Sequence, residues 1–264
     1  MITFPHAKIN LGLNVTGKRS DGYHEVQTLM YPVPLTDILE IIPANHFNFS
    51  TSGIAIEGKQ ENNLVIRAYQ MLKEKCDLPP VSIHLHKTIP MGAGLGGGSS
   101  DAAFVLRMLN EIFDLCFSNE ELEKQAALLG ADCPFFIQGI PAMATGTGTT
   151  LKPFSLNLHG YHLLIISSGL HVSTAVAYAG IAINFEAVDL TSILQLPPQA
   201  WKDRLFNTFE DTVFKLHPGL KQTKDMLYQQ GAVYAGMSGS GSAMFGIFSE
   251  KKPYVPESSW WFPL

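Results

Sequence analysis

The sequence predicts an α+β fold in two lobes, a strand-rich N-terminal lobe (1–150) and a mixed C-terminal lobe (151–264). Three observations predict it. Most of the first sixty residues read as short strands. The helical stretches at 99–113 and 118–130 then follow one another with no strand between. A late strand–loop–strand, "AVYAGMSGSGSAMFGIF" (232–248), is the last regular element. The chain has 264 residues, 46% hydrophobic and 16% charged, enough to bury a large core.

The first element is "AKINLGLNVTG" (7–17). Ile9, Leu11, Leu13 and Val15 alternate with Lys8, Asn10, Gly12 and Asn14, so Lys8 and Asn10 share the face opposite the apolar set. "SDGYHE" (20–25) carries an Asp-Gly turn and predicts a hairpin. "DILEII" (37–42) and "GIAIEG" (53–58) read as further strands. In "NNLVIRAYQMLKEK" (62–75) the period changes: Leu64, Val65, Ala68, Met71 and Leu72 fall on one helical face, with Asn62 or Asn63 as N-cap. "VSIHLHK" (81–87) returns to alternation, with Val81, Ile83 and Leu85 inward. His84 and His86 share its other face, lack a third ligand and read as surface.

"SSDAAFVLRMLNEIF" (99–113) is helical, its apolar stripe running through Ala102, Val105, Leu106, Leu109 and Phe113. "SNEELEKQAALLG" (118–130) has a capping box, Ser118 with Glu121, and ends on Gly130. Asp132 follows as a turn residue, and short strand patterns come next, the clearest being "YHLLIISSG" (161–169). "STAVAYAGI" (173–181) reads as a helix capped by Ser173. Residues 205–231 read as two helices broken near Pro218 and closed at Gly231. The tail "SEKKPYVPESSWWFPL" has no clear period.

Composition excludes several classes. The net charge of −5, with Lys and Arg spread along the chain, argues against a nucleic-acid surface. No uncharged apolar run approaches eighteen residues, so no membrane span is expected. "MITFPHAKIN" lacks the charged and apolar regions of a signal peptide, and a cytoplasmic enzyme is the expectation. Cys76, Cys116 and Cys133 are odd in number and far apart, which fits neither a disulfide framework nor a zinc site. No pattern specifies an oligomeric state.

The chemistry concentrates in "PMGAGLGGGSSDAA" (90–103), between a strand and a helix. Glycine is costly to order, so five glycines in one loop need a reason. Without side chains the backbone can approach phosphate oxygens, and the free N–H groups and dipole of the following helix favour negative charge. Ser99 and Ser100 add hydroxyls that could touch phosphate or a hydrated magnesium ion. No lysine follows the glycines as a P-loop requires, and neither H-R-D nor D-F-G occurs. Gly92, Gly94 and Gly97 satisfy G-x-G-x-x-G, but a dinucleotide fold would open on that motif rather than follow ninety strand-rich residues. A glycine-rich turn with no ligand is the bland alternative.

Together, "AKINLGLNVTGKRSDGYHEVQTL" (7–29), "ENNLVIRAYQML" with the glycine loop, "LGADCPFFIQG" (129–139) and "MSGSGSAMF" (237–245) resemble the GHMP kinase superfamily. The resemblance runs from residue 7 to about 248. It implies a two-lobed fold and ATP- and Mg2+-dependent phosphorylation of a small molecule. The closest branch implies the 2-hydroxyl of the CDP-linked polyol 4-diphosphocytidyl-2-C-methyl-D-erythritol, on the non-mevalonate isoprenoid route. A mevalonate-pathway or homoserine substrate is the alternative.

The resemblance also implies roles. Lys8 and Asp132 are the catalytic pair, with Asn10 beside the transferred phosphate. The ATP phosphate cradle is Pro90, Met91, Gly92, Ala93, Gly94, Leu95, Gly96, Gly97, Gly98, Ser99 and Ser100. Lys87, Asn63 and Asn110 lie nearer the nucleoside. Tyr23 and His24 grip a cytosine, with Tyr178 as a second aromatic wall, and Gly239, Ser240 and Gly241 form a second cradle. No side chain is assigned to a metal. Ala93 stands where the loop often has glycine, and Ala175 where proline is common. Taken alone, Lys8 reads as a solvated charge, Asp132 as a turn residue, Tyr23 and His24 as a hairpin shoulder, Tyr178 as core and Cys133 as packing.

Overall fold

The computed structural model describes residues 1–181, 189–249 and 253–264. In chain order it runs β1 (Ile2–Thr3), β2 (His6–Lys18), β3 (His24–Thr36), β4 (Ile38–Pro43), β5 (Asn48–Gly53), α1 (Leu64–Cys76), β6 (Val81–Lys87) and α2 (Gly97–Ile112). Next come α3 (Asn119–Ala127), α4 (Phe135–Gln138), β7 (Ala142–Thr145), β8 (Thr150–Pro153), β9 (His162–Ile166), α5 (Thr174–Ala179) and α6 (Leu190–Leu194). The last are α7 (Glu210–Leu216), α8 (Pro218–Gln229), β10 (Tyr234–Met237), β11 (Met244–Phe248) and β12 (Ser259–Pro263). The mixture is the α+β fold expected. It divides into two compact units, one of residues 1–8, 34–91 and 96–140, the other of 9–33, 92–95 and 141–264.

The first unit has one sheet in the order β1-β4-β6-β5. β4 pairs antiparallel with β6, Ile41 opposite Ile83, and β5 pairs parallel with it, Phe49 opposite Ile83. Val81, Ile83 and Leu85 of β6 are buried, and His84 and His86 on its other face bond Ser50 and Ser52 of β5. α1 starts where Asn63 accepts the Val65 N–H, and it packs on α2 through its buried apolar face. Each fully buried aliphatic side chain contributes roughly 1.5–3 kcal/mol here. The capping box of α3 forms on both sides, Ser118 with Glu121.

Three sequence expectations are corrected in this unit. "GIAIEG" is not a strand: only Gly53 belongs to one, and β5 lies upstream in "NFSTSG". That strand is an exposed, polar edge, so it carries no apolar alternation to read. The helix after the loop begins at Gly97, two residues before the stretch 99–113 read as helical. α3 ends at Ala127 rather than at Gly130, where the ideal Cβ would meet the Cys133 sulfur at 3.3 Å.

The second unit contains two sheets. β2-β3-β7-β8 is formed largely by its residues, and β10-β11-β9-β12 wholly so. Its core joins Leu13 and Val15 of β2, Leu164 and Ile166 of β9, Val213, Leu220 and Leu227 of α7 and α8, and Met244 and Phe248 of β11. α7 and α8 meet at Pro218, which stands in the first turn of α8, where its missing N–H is harmless. The tail is also corrected. Glu250, Lys251 and Lys252 lie outside the described residues, but Ser259–Pro263 is a strand pairing antiparallel with β9. Its residues are half-buried on both faces, so no period of two appears, and Trp261 stacks on His162 at 5.0 Å.

Candidate active site

In the first unit the strand that opens the sequence motif delivers Lys8. Its Nζ lies 3.3 Å from Oδ2 of Asp132, in the turn between α3 and α4. Lys8 is buried, not the solvated charge that a lone strand lysine suggests. It lies beside the start of α2. A Cβ on Gly96 would fall 3.1 Å from the Lys8 Cγ and 2.7 Å from the Phe136 ring, and Gly96 has φ +72°. Only glycine leaves room there, and no side chain caps the helix. The first-turn N–H groups of α2 therefore remain available to an anion.

Ser99 and Ser100 diverge. Ser99 is half-buried, whereas the Ser100 hydroxyl is fully buried without a hydrogen-bond partner. Burial pushes the Cys133 thiol up to about 11, so it is a neutral packing group, as its setting in the sequence suggested. Asn63 and Asn110 hold backbone. Asn63 caps α1, and Asn110 donates to the Phe117 carbonyl while accepting the Phe117 N–H. Lys87 is buried between Asp37 and Asp101. Its ammonium is already held by two carboxylates. Burial opposes that charge, but the carboxylates outweigh it and raise its pKa.

In the second unit the loop residues 92–95 lie against the late glycine motif. The Ser238 hydroxyl donates to the Gly94 carbonyl at 2.8 Å, and the Ala243 N–H donates to the Ala93 carbonyl at 3.0 Å. A Cβ on Gly94 would come within 1.9 Å of the Ser238 carbonyl oxygen. Ala93 is not among the positive-φ residues and buries its methyl, so the departure from glycine costs no backbone strain. Asn10 joins the same assembly. Its Nδ2 donates to Thr28, its N–H donates to the Ser238 hydroxyl, and its Oδ1 would lie 3.3 Å from a Cβ on Gly239. Ser240 bonds Thr174 of α5 at 3.2 Å, and Gly241 closes the turn by donating to the Ser238 carbonyl.

His24 opens β3 and stacks on Tyr178 of α5 at 4.6 Å, their planes 20° apart. Tyr178 in turn meets Phe209 edge-on at 4.8 Å. Tyr23 is not part of that stack. It stands exposed in the turn, its N–H held by Asp21. Pro90 is half-buried and Met91 exposed at the start of the loop, with Leu95 buried and Gly98 exposed further on.

Sequence reasoning missed Asp37, Asp101 as its partner through Lys87, and Asn207. Asn207 donates from Nδ2 to the carbonyls of both Met237 and Gly239 at 2.8 Å, fixing the second glycine turn. An Asn inside a stretch read as helical offers no sequence signal beyond its polarity. Asp37, at the start of a strand, has the same anonymity.

A buried lysine–carboxylate pair beside an uncapped glycine-led helix is the arrangement of a small-molecule phosphotransferase. The GHMP kinases N terminal domain matches residues 63–140 and the GHMP kinases C terminal domain residues 185–254, and the chain belongs to this family of small-molecule kinases. It is 50% identical over 257 residues to 4-diphosphocytidyl-2-C-methyl-D-erythritol kinase of Azobacteroides pseudotrichonymphae genomovar. CFP2, covering 97% of this chain and 96% of that one. The like-named enzyme of Bacteroides fragilis (strain YCH46) is 49% identical over 96% of this chain and 93% of its own. A crystal structure of 4-(cytidine 5'-diphospho)-2C-methyl-D-erythritol kinase superposes with TM-score 0.81 at 36% identity, covering 93% of this chain and 89% of that one. The L. major mevalonate kinase superposes with TM-score 0.65 at 18% identity, covering 92% and 87% of the two chains, a likeness of fold alone.

Proposed function

We propose that this chain transfers the γ-phosphoryl group of ATP to the 2-hydroxyl of 4-diphosphocytidyl-2-C-methyl-D-erythritol. The observation that carries the chemistry is the Lys8–Asp132 pair beside the start of α2. Phosphoryl transfer asks a protein for alignment and charge stabilisation more than for covalent work. Asp132 accepts the hydroxyl proton or orients the nucleophile. Lys8 pairs with that carboxylate and offsets charge building on the transferred group.

The loop Pro90–Ser100 cradles the ATP phosphates in this proposal, with the uncapped N–H groups of α2 as donors. Ser99 retains exposed surface and is the serine suited to touch phosphate. Asn63 and Asn110 border the nucleoside through the backbone they hold. ATP binding falls to residues 1–150, and acceptor binding to 151–264 joined by Asn10, Tyr23 and His24. His24 supplies a donor–acceptor edge for cytosine, while Tyr23 and Tyr178 supply aromatic faces. Gly239, Ser240 and Gly241 meet the acceptor or its phosphates.

Among the described residues no group of three His, Cys, Asp or Glu side chains could hold a metal ion. We expect magnesium to reach the site with the ATP phosphates and water, the habitual mode of this cation in kinases. Bound so, it neutralises charge on the phosphates. Among the described residues no helix is long and apolar enough to cross a membrane. We place the enzyme in the cytoplasm.

The test is a coupled ADP-release assay with ATP, magnesium and 4-diphosphocytidyl-2-C-methyl-D-erythritol, run beside mevalonate and homoserine. Turnover with the cytidyl acceptor alone is expected. Turnover with another acceptor discards the cytosine reading of His24 and Tyr178.

A further inference from the structure

Below the start of α2 lies a charged cluster that the proposed chemistry does not use. Asp37, Lys87 and Asp101 are each no more than 3% exposed. Lys87 Nζ donates to Asp37 Oδ2 and, at 2.9 Å, to Asp101 Oδ2. The other oxygen of Asp37 accepts the backbone N–H groups of Thr88 at 2.6 Å and Ile89 at 2.9 Å. Gly97 is shaped around this cluster, because a Cβ there would fall 3.1 Å from Lys87 Nζ and 2.9 Å from Ile89 Cγ2.

The three residues sit at particular places in the chain. Lys87 ends β6, immediately before the glycine loop, and Asp101 lies one turn into α2, just after it. Asp37 steers the backbone as it leaves β6. The glycines between have no side chains with which to hold their own course, and ordering them is costly in entropy. An apolar trio of similar volume would stabilise the interior at least as well as buried charges do. What charges add is direction, since each hydrogen bond sets one distance and one angle. The unpartnered Oδ1 of Asp101 shows that the cluster is not arranged for full satisfaction of its own groups.

We propose that Asp37, Lys87 and Asp101 form a buried clasp that ties the two ends of the glycine loop together and so positions the α2 N–H groups for the phosphates of ATP. All three are positioning residues, and Lys87 acts through the loop, not on the nucleotide. The inference rests on the kinase reading only in naming ATP as the anion.

The test measures ATP affinity by titration calorimetry without acceptor, together with steady-state kinetics and melting temperature. Asp101→Asn and Lys87→Met are each expected to weaken ATP binding roughly tenfold to a hundredfold, the scale of a misplacement of about 1 Å. The acceptor KM stays near wild type. The double variant binds ATP no worse than the weaker single one, because both changes open one clasp. A merely structural role would lower the melting temperature and leave ATP affinity of the folded protein intact, which overturns the proposal. Loss of affinity in Lys87→Met but not in Asp101→Asn also overturns it, since Lys87 would then touch the nucleotide. If Lys87→Met does not fold, Lys87→Arg keeps the charge with a bulkier head. Weakened ATP binding is again expected, and unchanged binding overturns the clasp. A wild type that binds ATP without phosphorylating the cytidyl acceptor discards that substrate and leaves the clasp to be judged on binding.

Discussion

The ammonium of Lys8 lies 3.3 Å from the carboxylate of Asp132, with the lysine side chain 4% exposed and the aspartate 34%. The pair is lopsided: the cation is sealed and the anion keeps an open edge. An open edge is what a proton acceptor for an incoming hydroxyl requires. Asp132→Asn removes the acceptor and leaves a buried cation facing a neutral amide. We expect kcat to fall roughly 10²–10⁴-fold, with ATP affinity nearly intact because the α2 donors are untouched. Steady-state rates with ATP binding measured in parallel check this, and a kcat near the wild-type value discards the role.

Tyr178 stacks on His24 and is braced edge-on by Phe209. Removing the ring in Tyr178→Ala forfeits a stacking surface worth roughly 0.5–1.5 kcal/mol beyond its area. The acceptor KM is expected to rise up to about tenfold, and the ATP KM to stay put. Tyr178→Phe keeps the face and is expected to behave like wild type. Equal kinetics for Tyr178→Ala and wild type argue that the stack belongs to the core alone.

Cys133 is fully buried, and burial raises its thiol to about 11. Near pH 8 it holds almost no thiolate. Cys116, by contrast, is exposed. An aromatic disulfide reagent near neutral pH is expected to label Cys116 first and Cys133 only on unfolding. Peptide mapping of the labelled protein decides it, and rapid labelling of native Cys133 goes against the prediction.

The local parts of this protein are legible in its sequence because they are set by near neighbours. Alternation in 7–17 marked β2 and put Lys8 and Asn10 on one face. The capping box at Ser118 and the break at Pro218 placed helix ends to within a residue or two. The glycine loop between strand and helix was equally plain, as a run of glycines where the period changes. The edge strands were hidden. Ser259–Pro263 is a strand because β9 offers it a partner, and "NFSTSG" because β6 does, and such pairing energy leaves no period in the paired segment itself. Tertiary structure alone decided that Lys8 is buried against Asp132, that Lys87 is held by Asp37 and Asp101, and that Asn207 fixes the second glycine turn. Those partners are remote in the chain and depend on which groups lose water together, which one-dimensional order does not specify.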